Sequence, residues 1–322
     1  MTRGSCGRVI SSITVVVVAA FVLGAVTPAH AQEAEPAPPP PPLNISADNV
    51  TGSRGPEGDI VLLNGNVRIT RGNTVITANF GRYLRAQGML FLDEHVHMVD
   101  STTTLTCDHA SFSEQTDILQ VDGHVVVTDR SATLEAPSGT YDRRTGRAEL
   151  NGGVHGRDEH QRLTCDHVTY VRDSMLVKAR GNVSGLDVEN RLEIRGQSVD
   201  YDRQSHEAVA SGNPMLISRD NKDRPTEIRA QLLRLNTETR LAEAIDSVRV
   251  SRDTLQARAQ YGLFDDRADR GWLLGHPMAW NDETQVSGDT LEVWTEKRAL
   301  RRFVVRGAAV MDYRGARPNT IG

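Results

Sequence analysis

Aromatic side chains are scarce in this chain. Six Phe, six Tyr and three Trp make up 5% of 322 residues, and hydrophobic residues reach only 38%. So few large side chains argue against a thick globular core and favour a thin, elongated one. Positive charge is not in excess either, since 37 Lys and Arg face 42 Asp and Glu, a net charge of −5. The basic stripe that nucleic-acid binding needs to offset phosphates is missing. The negative balance also argues against simple electrostatic docking on an anionic membrane surface. No G-x-S-x-G, H-E-x-x-H or Gly-rich phosphate loop occurs, so an enzyme is not expected, and neither catalytic residues nor cofactors are assigned. Cysteine is limited to Cys6, Cys107 and Cys165. Only one long apolar run exists, and it lies at the N-terminus.

That run, Val9 to Val26, follows Arg3 and Arg8 and leads to Pro28-Ala29-His30-Ala31. A positive start, an apolar middle and an A-x-A site form the pattern of a secretory signal peptide covering residues 1–31, with Gln32 as the mature N-terminus. An uncleaved membrane anchor is the alternative, because the run is close to the roughly 18 residues of a membrane span. Cleavage removes two Arg and no acid, which moves the charge from −5 to −7. Residues 32–42 are a Pro-rich spacer of polyproline II type. A periplasmic location follows from this leader.

What the chain does have is a repeat. Val67, Val96, Val125, Val154 and Val183 are each 29 residues from the next, and each follows a junction such as Gly65-Asn66, Gly123-His124 or Gly181-Asn182. A second element keeps the same period: Ile76-Thr77-Ala78 with Tyr83, Leu105-Thr106-Cys107 with Phe112, Leu134-Glu135-Ala136 with Tyr141, Leu163-Thr164-Cys165 with Tyr170. Later copies continue less regularly to Gly307. Within each copy the apolar positions alternate: Leu90, Leu92, Val96 and Met98, then Leu119, Val121, Val125 and Val127. Period 2 predicts strands with one face inward, and glycine at the junction suits a turn or bulge. Residues 226–244 have an amphipathic look but keep the repeat positions, so they too are read as β. Stacked rungs share an interior that no single rung can bury. The fold expected is therefore all-β, an elongated repeat of about nine rungs over residues 43–313. A subdivision near 220–226 is suggested by irregular spacing, and residues 314–322 form a C-terminal tail.

The mature start Ile45-Ser46-Ala47-Asp48, the G-N-V-x-I copies (Gly65 to Ile69) and the I-T-A-x-x-x-x-Y copies (Ile76 to Tyr83) resemble the OstA-like family of periplasmic lipopolysaccharide-transport proteins. The resemblance spans about residues 43–313 and is strongest over 45–201. It implies a V-shaped β-jellyroll, open on one side, whose two sheets hold lipopolysaccharide acyl chains, and a role in outer-membrane biogenesis. It also implies end-to-end strand addition with other domains of the same kind, through open strands near Ile45 and Val304; homo-oligomers would form the same way. The chain departs from the family in its length, in Pro214 and Pro277 at junctions where Val is usual, and in Gly156 and Gly185 at expected Ile or Val positions.

The residues expected to line a lipid path are Val67, Ile69, Tyr83, Leu90, Leu92, Val96, Met98, Phe112, Leu119, Val121, Val125, Val127, Tyr141 and Tyr170. Against this stands the plain reading that such a ladder is only packed core, as in a structural β-solenoid scaffold without lipid. A β-helix enzyme acting on polysaccharide is a further alternative, with Asp108 and Asp166 as isolated carboxylates. His95, His109, His124 and His167 are read as surface residues, and no metal site is expected. Cys107 and Cys165 are two repeats apart, beyond the reach of a disulfide, and are read as small inward residues.

Overall fold

The computed structural model describes residues 44–55, 58–100, 103–129, 132–296 and 298–313. The expected signal peptide, spacer and C-terminal tail lie outside the described residues. The rest is strand and turn, with no helix among the described residues, so the all-β expectation is met. Two compact units follow one another, one ending at Val183 and the next beginning at Ser184.

The first unit contains β1 (Asn44–Ser46), β2 (Asn49–Gly55), β3 (Gly58–Arg71), β4 (Thr74–Leu84), β5 (Met89–Asp100), β6 (Thr103–Ser113), β7 (Ile118–Asp129), β8 (Ala132–Asp142), β9 (Arg147–Arg157) and β10 (Gln161–Val171). Strand β11 (Leu176–Asp187) runs across the boundary. From β3 to β10 each strand pairs antiparallel with the next. A 29-residue copy therefore delivers two antiparallel strands rather than one rung.

The junction is a bulge in mid-strand. Register shifts fall at Asn64/Val67, Thr77/Phe80, Asp93/Val96, Thr106/His109 and Asp122/Val125, level with one another across the sheet. Aligned bulges crease a sheet, so each strand contributes its two halves to two facing layers. Gly65 (φ 76°) and Asn66 (φ 47°) make such a bulge with two successive left-handed residues. Asp48 closes it: its N–H donates to the Gly65 carbonyl at 2.8 Å, and its Oδ2 accepts from Asn66 Nδ2 at 2.8 Å. Asp166 receives Asn182 Nδ2 in the same way at 3.0 Å. The G-N-V spacing is thus a bulge held by a carboxylate from a neighbouring segment, the β1–β2 bend for Asp48 and strand β10 for Asp166.

Pairing turns the period-2 pattern into ladders. On one side of the crease run Ile45, Ile69, Ile76, Met98, Leu105, Val127 and Leu134. On the other run Val61, Tyr83, Leu90, Phe112, Leu119, Tyr141, Ala148 and Tyr170. A third ladder, beside the crease, alternates large and small: Leu63, Gly81, Leu92, Ala110, Val121, Gly139, Leu150. A Cβ on Gly139 would meet Leu150 Cδ2 at 2.8 Å, which shows how narrow the interior is there.

The second unit contains β12 (Leu192–Asp202), β13 (Glu207–Ser211), β14 (Met215–Arg219), β15 (Pro225–Arg229), β16 (Leu232–Asn236), β17 (Leu241–Arg252), β18 (Leu255–Asp265), β19 (Arg270–Leu274), β20 (Met278–Trp280), β21 (Thr284–Ser287), β22 (Thr290–Glu296), β23 (Ala299–Arg306) and β24 (Val310–Tyr313). Residues 226–244 are strand and turn rather than helix, as their repeat positions required. Residues 220–226 form the turn of the β14–β15 hairpin and the start of β15, inside this unit. Here several strands that were continuous in the first unit have counterparts split in two, although β17 and β18 stay whole. The short strands β13 and β14, for example, flank the break at Gly212-Asn213-Pro214, where Pro214 is fully buried.

Candidate functional site

The ladder residues expected to hold lipid come together in the interior of the first unit. Twelve of the fourteen are buried, while Tyr83 and Phe112 are half-buried at the margin. The Tyr83 hydroxyl donates to Glu114 Oε2 at 3.2 Å, and the Arg143 guanidinium stands 5.8 Å over the Phe112 ring. Their inward direction follows from parity, since a one-residue slip would turn every side chain to the other face. The two ladders close on each other. The space between them, bounded by Leu105, Leu119, Val127 and Tyr141, is about 20 Å³, roughly room for one water.

An open apolar cavity lies instead within the second unit, with a volume of about 470 Å³, the range of small-molecule sites. None of the fourteen residues lines it. Its walls are two ladders. One runs Leu216, Ile228, Val250, Ala257, Ala279, Val286 and Met311. The other runs Leu235, Ala242, Phe264, Gly271, Val293 and Phe303. All thirteen residues line the cavity. The repeat position of Ile76, Leu105, Leu134 and Leu163 is taken here by Ala257, and Ala242, Gly271 and Ala279 thin the walls further. Space appears where methyl groups are missing. That substitution pattern is the signal by which the sequence could have shown the cavity.

One part of the wall is polar. The turns of several hairpins converge there. Arg298 donates from Nε to Asp266 Oδ1 and from Nη2 to Asp266 Oδ2, both at 3.2 Å, and from Nη1 to the Asn190 carbonyl. Arg240 Nη2 donates to Asp266 Oδ2 at 2.5 Å and to Asn190 Oδ1 at 3.4 Å. Arg252 donates to Asp220 Oδ2 at 2.6 Å, to Thr226 Oγ1 at 3.1 Å and to the Arg298 carbonyl. Burial pushes the Asp266 carboxyl up, but the Arg298 and Arg240 guanidiniums more than offset this and hold it below the usual range.

Histidines lie at the bulges. His109 Nδ1 is 2.8 Å from Asp93 Oδ1, and His124 Nδ1 is 2.7 Å from Asp108 Oδ2. Both imidazoles are exposed. Among the described residues no three His, Cys, Asp or Glu side chains gather as metal ligands. Cys107 and Cys165 are buried free thiols, and burial pushes both up to about 12.

Residues 45–191 match the model of the family described as OstA-like protein. Over that segment, a little under half of its length, the chain is similar to the OstA-like family. No curated protein matches the chain. Among solved structures, one match is the crystal structure of LptH, the LptA homologous periplasmic component of the conserved lipopolysaccharide transport device from Pseudomonas aeruginosa. It is 14% identical, with 42% of this chain and 76% of that chain covered and a TM-score of 0.23. The family match takes in the described first unit from Ile45 onward and ends just inside the second, so nearly all of the cavity wall lies beyond it.

Proposed function

We propose that this protein is a non-catalytic periplasmic carrier that takes lipopolysaccharide or a related amphiphile into an apolar interior and passes it toward the outer membrane. The observation that carries this reading is the cavity of about 470 Å³ between two apolar ladders, in a chain whose first unit is OstA-like. Each acyl methylene buried there contributes about 0.8 kcal/mol, so chains can be held without covalent attachment. The fourteen ladder residues of the first unit would line a lipid path of their own if its two layers part.

Strand ends support assembly with other OstA-like domains. Strands β1 and β2 pair only with β3 among the described residues, and every residue in them is exposed. In the second unit Phe303, Val310, Met311 and Tyr313 are exposed on β23 and β24. Unpaired edges of this kind accept another strand. For the first unit alone, its closed interior favours a second reading, a lipid-free spacer.

Two measurements test the proposal. Mass spectrometry of gently purified protein should find lipopolysaccharide or another amphiphile. A photo-crosslinking residue at Val250 should label lipid in cells, whereas one at its outward neighbour Arg249 should not; Val125 against Val126 makes the same comparison for the first unit. Labelling at Val250 but not Val125 would assign carriage to the second unit. Absence of lipid at every site would leave the scaffold reading.

A further inference from the structure

The arginine-rich part of the cavity wall is not needed to hold an alkyl chain. The wall carries four arginines, Arg240, Arg252, Arg270 and Arg298, against two carboxylates, Asp265 and Asp266. Asp220 behind Arg252 and Glu292 behind Arg270 add two more carboxylates, so the excess that remains is one guanidinium in the group Arg240, Arg252 and Arg298, which faces Asp220 and Asp266. Asp265 is already engaged, since its Oδ1 accepts from the N–H groups of Arg267 and Ala268. Arg270 is held apart by Glu292 and stacks 5.0 Å from the Trp272 ring. Arg240, Arg252 and Arg298 remain as one hydrogen-bonded group, joined through Asp266, Asp220 and Asn190.

Their donors are not all used. Among the described residues, the hydrogen bonds of Arg240 run through Nη2 alone, which leaves Nε and Nη1 to solvent or ligand. The side chain of Arg252 is 11% exposed and that of Arg298 20%, so both charges are partly withdrawn from water. A low-dielectric wall on one side strengthens their field at the opening. Guanidinium forks match the oxygen pairs of phosphate and carboxylate, and they bind these better than any neutral head group.

We propose that Arg240, Arg252 and Arg298 form a head-group subsite that selects amphiphiles bearing an oxyanion, while the adjoining apolar ladders take the acyl chain. This rests on the carrier reading above but goes beyond it. It names the chemistry of the end group that the second unit recognises and the residues that recognise it. Asp266 would be the internal competitor, occupying two of the guanidiniums when no ligand is bound.

The test is calorimetric titration of the full chain lacking residues 1–31 with probes of one chain length: dodecyl phosphate, dodecanoate, dodecanol and dodecyltrimethylammonium, with inorganic phosphate as a control. Both oxyanion probes should bind at least tenfold tighter than dodecanol, and the cation weakest. In Arg240→Gln and in Arg298→Gln the ratio of dodecyl phosphate to dodecanol affinity should fall below threefold. Asp266→Asn, which removes the competitor, should raise the preference severalfold and guards against a loss caused by misfolding. Equal affinity for phosphate and alcohol heads in the unaltered protein would overturn the subsite and leave the carrier reading intact. So would a preference that survives the arginine changes or falls in Asp266→Asn. Failure of every alkyl probe to bind would overturn both. Tight binding of inorganic phosphate with no gain from the chain would show an anion site unrelated to lipid and would also overturn the proposal.

Discussion

Asp108 arches over Gly123 to reach His124. Its Oδ2 lies 2.7 Å from His124 Nδ1, and a Cβ on Gly123 would fall 2.3 Å from that same oxygen. Gly123 and His124 both have positive φ, 75° and 46°. Gly123→Ala should therefore cost about 1–2 kcal/mol from the left-handed backbone alone, and more if the carboxylate is displaced. The copy at Glu94-His95 has no glycine, with φ of 63° and 53°. Glu94→Gly should gain up to about 1 kcal/mol. Urea denaturation of the two variants should move the midpoint in opposite directions, and no movement in either would show that the bulge does not require these angles.

The fold raises the pKa of His109. The hydrogen bond that its ring N–H donates to Asp93 holds its pKa above the usual value, against an opposing effect of desolvation. A raised folded pKa contributes stability that is fully present below the unfolded value of about 6.5 and is lost as pH rises through the higher folded value. In Asp93→Asn the imidazole should titrate at lower pH, and that pH dependence should shrink. A proton NMR titration in which His109 keeps the same midpoint after the substitution would contradict this.

The thiols should be inert. With both pushed up to about 12 by burial, almost no thiolate exists near neutral pH, and thiolate is the reactive form. In a chain lacking residues 1–31, an aromatic disulfide reagent at pH 8 should modify neither Cys107 nor Cys165 in the folded state. It should modify both after denaturation without reductant. Rapid labelling of the native protein, or no thiols after denaturation, would be incompatible with the ladder as described.

Acid should loosen the second unit through Asp220. The backbone N–H of Arg224 is the main cause of its lowered pKa; against burial, the Arg224 guanidinium and the Lys222 N–H add to it. A depressed carboxylate contributes stability above its unfolded pKa of about 3.9 and loses it as pH falls through the lower folded value. Asp220→Asn should be less stable than the parent at pH 7 and should show a flatter loss between pH 4 and 2. Melting curves across that range decide the matter.

Filling the cavity separates storage from stability. Ala257→Leu restores the side chain that the same repeat position carries at Leu105 and Leu134. Stability should hold or rise by about 0.5–2 kcal/mol, as cavity-filling changes commonly give. Uptake of an alkyl probe should fall severalfold. Unchanged uptake would place the lipid elsewhere than the second-unit cavity.

The 29-residue period and the alternation of Leu90, Leu92, Val96 and Met98 were enough to set which side chains face inward in the first unit. The reason is local: side chains alternate along a strand, and a slip by one residue would expose all of them. The same pattern decided strand over helix for residues 226–244. The identity of the junction as a bulge was half legible, because Gly65-Asn66 demands left-handed angles but does not say whether the chain turns back or continues. Tertiary structure decided that, through Asp48 from the bend between β1 and β2, 18 residues away. It also decided whether the interior is shut or open. That depends on how closely two layers approach, and so on the summed volumes of Ala242, Ala257, Gly271 and Ala279 against their neighbours rather than on any one of them. The arginine cluster had no local signature at all, since Arg298 and Asn190 meet across 108 residues of chain. Long-range pairing of hairpin turns brings them together, and only folding can reveal it.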